Sequence, residues 1–161
     1  MDVKHINPFL ESTIFVFESM FGESPQAGTP ALMENFHSHR WDISGVIGIV
    51  GAADGVIALR LTQNIVSVFL EKSGVDWSDE AELNGVINSM VGEIINVIAG
   101  NTVGKIEQYE LNITVPFVIQ GQNHSIAWPT NAPVITVPFR TSRGIFEVNV
   151  SLRENKLFVK K

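Results

Sequence analysis

The sequence contains no cysteine. That removes a disulfide framework, a zinc ribbon, a thiol nucleophile and a phosphatase working through a cysteinyl-phosphate. Basic residues are few: 11 Lys and Arg stand against 17 Asp and Glu, for a formal net charge of -6 and an isoelectric point near 5.1. Neither a nucleic-acid backbone nor an anionic membrane is expected as the main partner. Long apolar runs are also lacking. The most apolar stretch, 43–53, is too short to cross a bilayer and is interrupted by Gly45, Gly48 and Gly51. The start, Met-Asp-Val-Lys-His, lacks the basic and apolar regions of a signal peptide, so a cytoplasmic location is expected.

What is present fits one domain spanning residues 1–161. Only 17% of residues are charged and the mean hydropathy is +0.18. That balance excludes disorder and leaves apolar surface for another subunit.

Asn7-Pro8 predicts a helix start, with Phe9, Leu10, Thr13, Ile14, Phe17 and Phe21 at helical spacing and Gly22 as the stop. Residues 22–40 are rich in Pro, Gly and polar side chains, and 30–35 are expected to form a short edge strand. Residues 41–51 and 56–61 read as a β-hairpin turning at Ala52-Ala53-Asp54-Gly55. The glycines of its first strand are spaced G-x-x-G-x-x-G, and a second strand follows where a nucleotide-binding motif needs a helix. They serve close packing instead. Thr62 is expected to cap a helix over 63–73 that stops at Gly74. Asp79 and Glu82 form a capping box for a helix running to Val103, about 37 Å long. Strands are expected over 106–120, 125–128, 134–140 and 145–152, with a turn at Ser142-Arg143-Gly144. The order predicts an α+β fold: a layered sandwich of a mostly antiparallel sheet covered by helices.

The long helix carries the functional signal. Leu83, Val86, Ile87, Met90, Val91, Ile94, Val97 and Ile98 form an apolar stripe, while Glu82, Gly85, Ser89, Gly92, Glu93, Asn96 and Gly100 fall on the other side. Glycine inside a helix costs about 1 kcal/mol relative to alanine, so several on one face point to a close approach by another chain or element. Glu93 and Asn96 are neighbours at i and i+3, and no Lys or Arg lies between Asp79 and Gly104 to pair with the carboxylate.

Residues 89–101, Ser-Met-Val-Gly-Glu-Ile-Ile-Asn-Val-Ile-Ala-Gly-Asn, resemble the motif of the CheC/CheX/FliY phosphatases of bacterial chemotaxis. That signature is Asp or Ser, three residues, Glu, two residues and Asn, followed by a proline, for which Pro116 is the candidate. The hairpin from Ser44 to Gly55 is also similar. A single copy of the motif fits the CheX branch better than CheC or FliY, which typically carry two. The resemblance implies a CheC-like fold and an enzyme that speeds loss of the phosphoryl group from the aspartyl-phosphate of a CheY-like response regulator. It implies that Asn96 positions the attacking water and that Glu93 pairs with the regulator's active-site lysine. Ser89, Gly92, Gly85 and Gly100 are then candidates for the partner-binding face. One motif per chain, the apolar balance and the strand-rich C-terminal part suggest a homodimer, which the resemblance implies is paired through a continuous sheet; 115–119 and 134–139, with Pro116 and Pro138 at edge-like positions, are the candidate edges.

The chemistry is consistent with that expectation. A carboxamide offers both an acceptor and a donor, so it can hold a water while touching a phosphoryl oxygen. The face holds no cation, so this chain is expected to bind no cofactor and the regulator to bring Mg²⁺ and lysine. His37-x-His39 with Asp42 offers no third or fourth metal ligand, because His5 and His124 are remote in sequence. No G-x-S-x-G elbow is present, and no aromatic cluster supports a glycosidase pair. The alternative from another class is a binding module that recognises a phosphorylated regulator or a flagellar-motor protein without hydrolysis.

Overall fold

The computed structural model of the chain describes residues 6–33, 41–107 and 109–155. His5, His37 and His39, with the remainder of the 34–40 segment, lie outside the described residues.

Helix α1 (Asn7–Phe21) begins one residue earlier than the Asn-Pro pair predicts. Ile6 occupies the cap position and Asn7 is already helical, with Pro8 in the first turn where a missing N–H costs nothing. Gly22 ends it in the left-handed region at φ 67°. Two-residue strands β1 (Gln26–Ala27) and β2 (Ala31–Leu32) follow, then the hairpin of β3 (Ile43–Gly51) and β4 (Ala53–Leu61). Helices α2 (Gln63–Ser73) and α3 (Glu80–Lys105) lead to β5 (Leu111–Ile113), β6 (Phe117–Gln120), β7 (Val134–Thr141) and β8 (Gly144–Glu154). Among the described residues the sheet is eight-stranded and antiparallel, in the order β1-β7-β8-β4-β3-β5, with β2 also on β7 and β6 also on β3.

The hairpin turn differs from its sequence signal. Asp54 and Gly55 lie inside β4, paired with Arg153 and Leu152 of β8, and the chain reverses at Gly51-Ala52 with Gly51 at φ 123°. Gly55 belongs to the ladder because β8 crowds it: a Cβ there would stand 2.2 Å from the Ser151 carbonyl oxygen. Residues 106–120 are not one strand, since α3 runs on to Lys105 and the remainder divides into β5 and β6. Residues 125–128 form no strand. In this connection His124 bonds Ser44 Oγ at 2.7 Å and the Gly121 carbonyl at 2.6 Å.

Thr62 caps α2 by position alone. The hydrogen bond to Gln63 N–H is accepted by the Asp42 carboxylate, at 2.8 Å. At α3 the capping box is real but shifted. Asp79 accepts from Glu82 N–H at 2.9 Å, while the Glu82 carboxylate reaches past Asp79 to the N–H and hydroxyl of Ser78.

One sheet face meets the helices. Phe9, Phe17, Phe69, Phe146, Ile47, Ile57 and Leu59 are at most 2% exposed and belong to one core with the apolar stripe of α3. Phe17 stacks on Phe146, and Phe146 on Phe139, joining α1 to β8 and β7. By length and composition α3 also resembles a membrane span. Here, however, Ile87, Val91, Ile94, Ile95 and Ile98 are buried in the domain core. The contact that seats α3 is at Gly45 of β3, where a Cβ would lie 3.0 Å from Val91 and 3.2 Å from Ile95.

This geometry separates two glycines. Gly45→Ala should lower stability by about 1–3 kcal/mol through overpacking. Gly85→Ala should raise it by about 0.5–1 kcal/mol, because open space surrounds that Cβ position in a helix interior. Denaturant titration of both variants is the check. The Ser78 hydroxyl and N–H hold the Glu82 carboxyl below its usual value of 4.5. Its contribution is therefore present above that value and lost as pH falls through the depressed one. Glu82→Gln should flatten the acid limb of the stability–pH profile and leave its alkaline limb unchanged.

Candidate functional site

The edge strand beside β3 is broken. Ile49 pairs with Ile113 and Val46 with Phe117, so Ile47 and Gly48 face Thr114, Val115 and Pro116, one residue too many for a regular ladder. Proline has no N–H to donate, and the bulge falls where it stands. Gly48 admits the bulge. Its N–H bonds Thr114 Oγ1 at 2.9 Å, its carbonyl accepts from Thr114 N–H at 3.0 Å, and a Cβ would lie 2.9 Å from the Thr114 methyl. The bulge throws Val115 into solvent, 85% exposed, and brings Pro116 to α3.

Between α3 and this edge lies a cleft of about 500 Å³. Asn88, Ser89, Gly92, Glu93 and Asn96 line it from the helix, and Pro116, Phe117 and Val118 from the strand. The residues singled out from the sequence thus separate into groups. Glu93, Asn96, Ser89 and Gly92 share the cleft, and Pro116 forms its opposite wall. Gly92 is buried, with Val118 and Pro116 3.8 Å and 4.0 Å from where its Cβ would stand, so it forms the floor. Gly85 lines a different groove, and Gly100 packs toward Ile113 beneath β5 rather than facing the cleft.

Glu93 is exposed and Asn96 half-buried. Neither makes a side-chain hydrogen bond or ion pair among the described residues, and no Lys or Arg lines the cleft. A carboxylate and a carboxamide side by side, both unengaged, are available to a group that arrives from outside.

Sequence reasoning missed Asn88 and Gln120. The Gln120 amide donates to Asn88 Oδ1 at 2.8 Å and to the Asn84 carbonyl at 3.0 Å, tying the end of β6 to α3. The signal was present: Asn88, Gly92 and Asn96 recur every four residues and form one row. Phe117, 56% exposed on the cleft wall, had no signal because its role depends on the bulge. No group of three or more His, Asp or Glu able to hold a metal occurs among the described residues.

A sequence model described as "Chemotaxis phosphatase CheX" matches residues 43–140. No match was found among curated proteins. Among solved structures, a chemotaxis protein CheX from Desulfovibrio desulfuricans is 29% identical, with a TM-score of 0.83 over 94% of this chain and 100% of that one. A CheC-like superfamily protein from a Shewanella species is 26% identical, also at 0.83, over 95% and 99% of the two chains. A Borrelia burgdorferi structure described as a CheX-CheY-BeF3-Mg²⁺ complex aligns at 0.79 and 26% identity, over 95% of this chain and 100% of that one.

Proposed function

This chain belongs to the CheX family of chemotaxis phosphatases, and we propose that its α3 cleft accelerates dephosphorylation of the aspartyl-phosphate of a CheY-like response regulator. Asn96 orients the attacking water, Glu93 pairs with the regulator's active-site lysine, and Ser89 and Gly92 form the contact around them. The observation that carries this reading is the unengaged Glu93–Asn96 pair in a cleft whose lining includes no cation. The Borrelia relative, which binds CheY with BeF3 and Mg²⁺, supports the choice of partner.

In this reaction a water oxygen attacks phosphorus as the bond to the aspartyl oxygen breaks. The products are a free carboxylate and inorganic phosphate, and the water's proton passes to solvent or phosphate. Such a transition state needs alignment and charge neutralisation more than covalent help. The Asn96 carboxamide supplies alignment: its oxygen accepts from the water while its N–H₂ faces a phosphoryl oxygen. Neutralisation comes with the regulator, whose Mg²⁺ and lysine bring the positive charge that the cleft lacks. Glu93 fixes the lysine and with it the register between the two proteins.

Asn96→Ala should retain binding of the activated regulator while lowering the accelerated rate by about 100-fold or more. Glu93→Gln should weaken binding and rate together. The check is decay of the phosphorylated regulator with and without each variant. A wild-type protein that binds the regulator but leaves its decay unchanged would sink the enzymatic reading in favour of a binding module.

We also propose a homodimer joined along the β5–β6 edge. Strand β7, which contains the other candidate segment, already has β8 on one side and both β1 and β2 on the other. The β5–β6 edge has β3 on one side, with Val115 and Phe117 exposed. Sedimentation at micromolar concentration should give a dimer, and Val115→Lys should shift it toward monomer. A wild-type monomer would overturn the assignment.

A further inference from the structure

One turn before Ser89, α3 borders a second depression of about 580 Å³. Val75, Val86 and Met90 supply its apolar walls, with Gly85, Glu82 and Ser89 completing the helix side. Val75 is 47% exposed and Trp77, two residues on, 42% exposed. The segment that presents them is fixed at its start, where Ser73 Oγ donates to the Leu70 carbonyl and accepts from Val75 N–H. The depression is open because position 85 carries no side chain: nothing lies within 4 Å of a Cβ built there. Own-chain packing therefore does not require this glycine, which costs helix stability.

Two further features say what fits. Ser89 lines both this groove and the Glu93–Asn96 cleft, so a body seated on one continues onto the other. Charge along this stretch is one-sided: Glu82 lines the groove, Asp76, Asp79 and Glu80 precede it in the chain, and Lys72 is the only cation from residue 71 to 104. None of those four carboxylates is in an ion pair among the described residues. We propose that this groove is a second docking point for the same regulator, accepting an aliphatic or aromatic side chain flanked by Lys or Arg. The inference rests on the phosphatase reading and extends it: the cleft performs the chemistry, and the groove selects which regulator is held there. Apolar burial supplies affinity, while the acidic rim admits a basic flank and repels an acidic one.

The test uses the full chain with a CheY-like regulator, activated with beryllofluoride and Mg²⁺ to measure equilibrium affinity and, separately, phosphorylated to measure steady-state dephosphorylation. Gly85→Phe fills the groove without removing any contact. It should weaken binding about tenfold or more, with the loss appearing in KM rather than kcat. Val75→Asp, in an exposed loop, should do the same while leaving the melting temperature unchanged. The double variant Asp76→Lys/Glu80→Lys should lower affinity and flatten its ionic-strength dependence. Gly104→Ala, far along α3, is the control. If folded Gly85→Phe and Val75→Asp proteins bind within about twofold of wild type while Asn96→Ala still stops turnover, the groove assignment falls and the phosphatase reading stands. If salt dependence is unchanged in the lysine variant, the basic flank is wrong. A wild-type protein that neither binds nor acts on any activated regulator overturns both readings.

Discussion

The position of every helix side chain in the cleft depends on how α3 lies against β3, and the missing side chain at Gly45 lets the two meet closely. Val91 and Ile95 occupy the space a Cβ would take. With these two fixed toward the sheet, the 100° step of the helix leaves little choice for the rest. Ile94 and Ile98 are carried into the core, Gly92 is turned to the β6 side, and Glu93 is left exposed. A methyl group at position 45 would press on Val91 and Ile95 and force the helix or these side chains to give way. Close packing, more than any hydrogen bond, therefore gives Glu93 and Asn96 their direction.

The helix supplies only half of the cleft. Its other wall exists because the neighbouring edge strand cannot pair continuously with β3. Pro116 lacks a donor, one extra residue must be accommodated, and Gly48 provides the room. The Gln120 amide then fastens the far end of β6 to Asn88 and Asn84, so the wall is held at both ends: by Thr114 on Gly48 and by Gln120 on α3. A local defect in the ladder is thus converted into a shaped recess beside a rigid helix. On the proposed reading, this positional precision serves Asn96 as a water-orienting carboxamide.

Features that depend on short-range patterns were legible in the sequence. The Asp79 cap, the 3.6-residue stripe of α3, the Gly74 stop and the α+β order all follow from neighbouring residues, and the structure carries each. The failures share a cause. Asp54-Gly55 is a strong local turn signal, but β8 extends far enough to claim both residues for the ladder. Residues 125–128 have strand-like composition, yet that connection is anchored through His124 on Ser44 and joins no ladder. The sequence places Asn88 in one row with Gly92 and Asn96, but the bond that gives it a role comes from Gln120, 32 positions away. Long-range partners decided each of these, and a single sequence does not show them.

On the proposed reading, the absence of a cation from the cleft lining is a source of selectivity. A dianionic phosphoryl group entering beside Glu93 without a counter-ion is repelled, and repulsion between close charges amounts to roughly 1–4 kcal/mol in water or at a protein surface. A free phosphate ester gains nothing here that offsets this. A regulator whose phosphoryl charge is already offset by Mg²⁺ brings its lysine to Glu93, so the same carboxylate attracts it. The division follows from electrostatics: one chain supplies neutralisation, and the other supplies a water-orienting amide on a rigid helix. It also accounts for the chain's acidity. The cation-free face between Asp79 and Gly104, without a single Lys or Arg, gives no foothold to competing anions, and only a surface with basic character gains by approaching it.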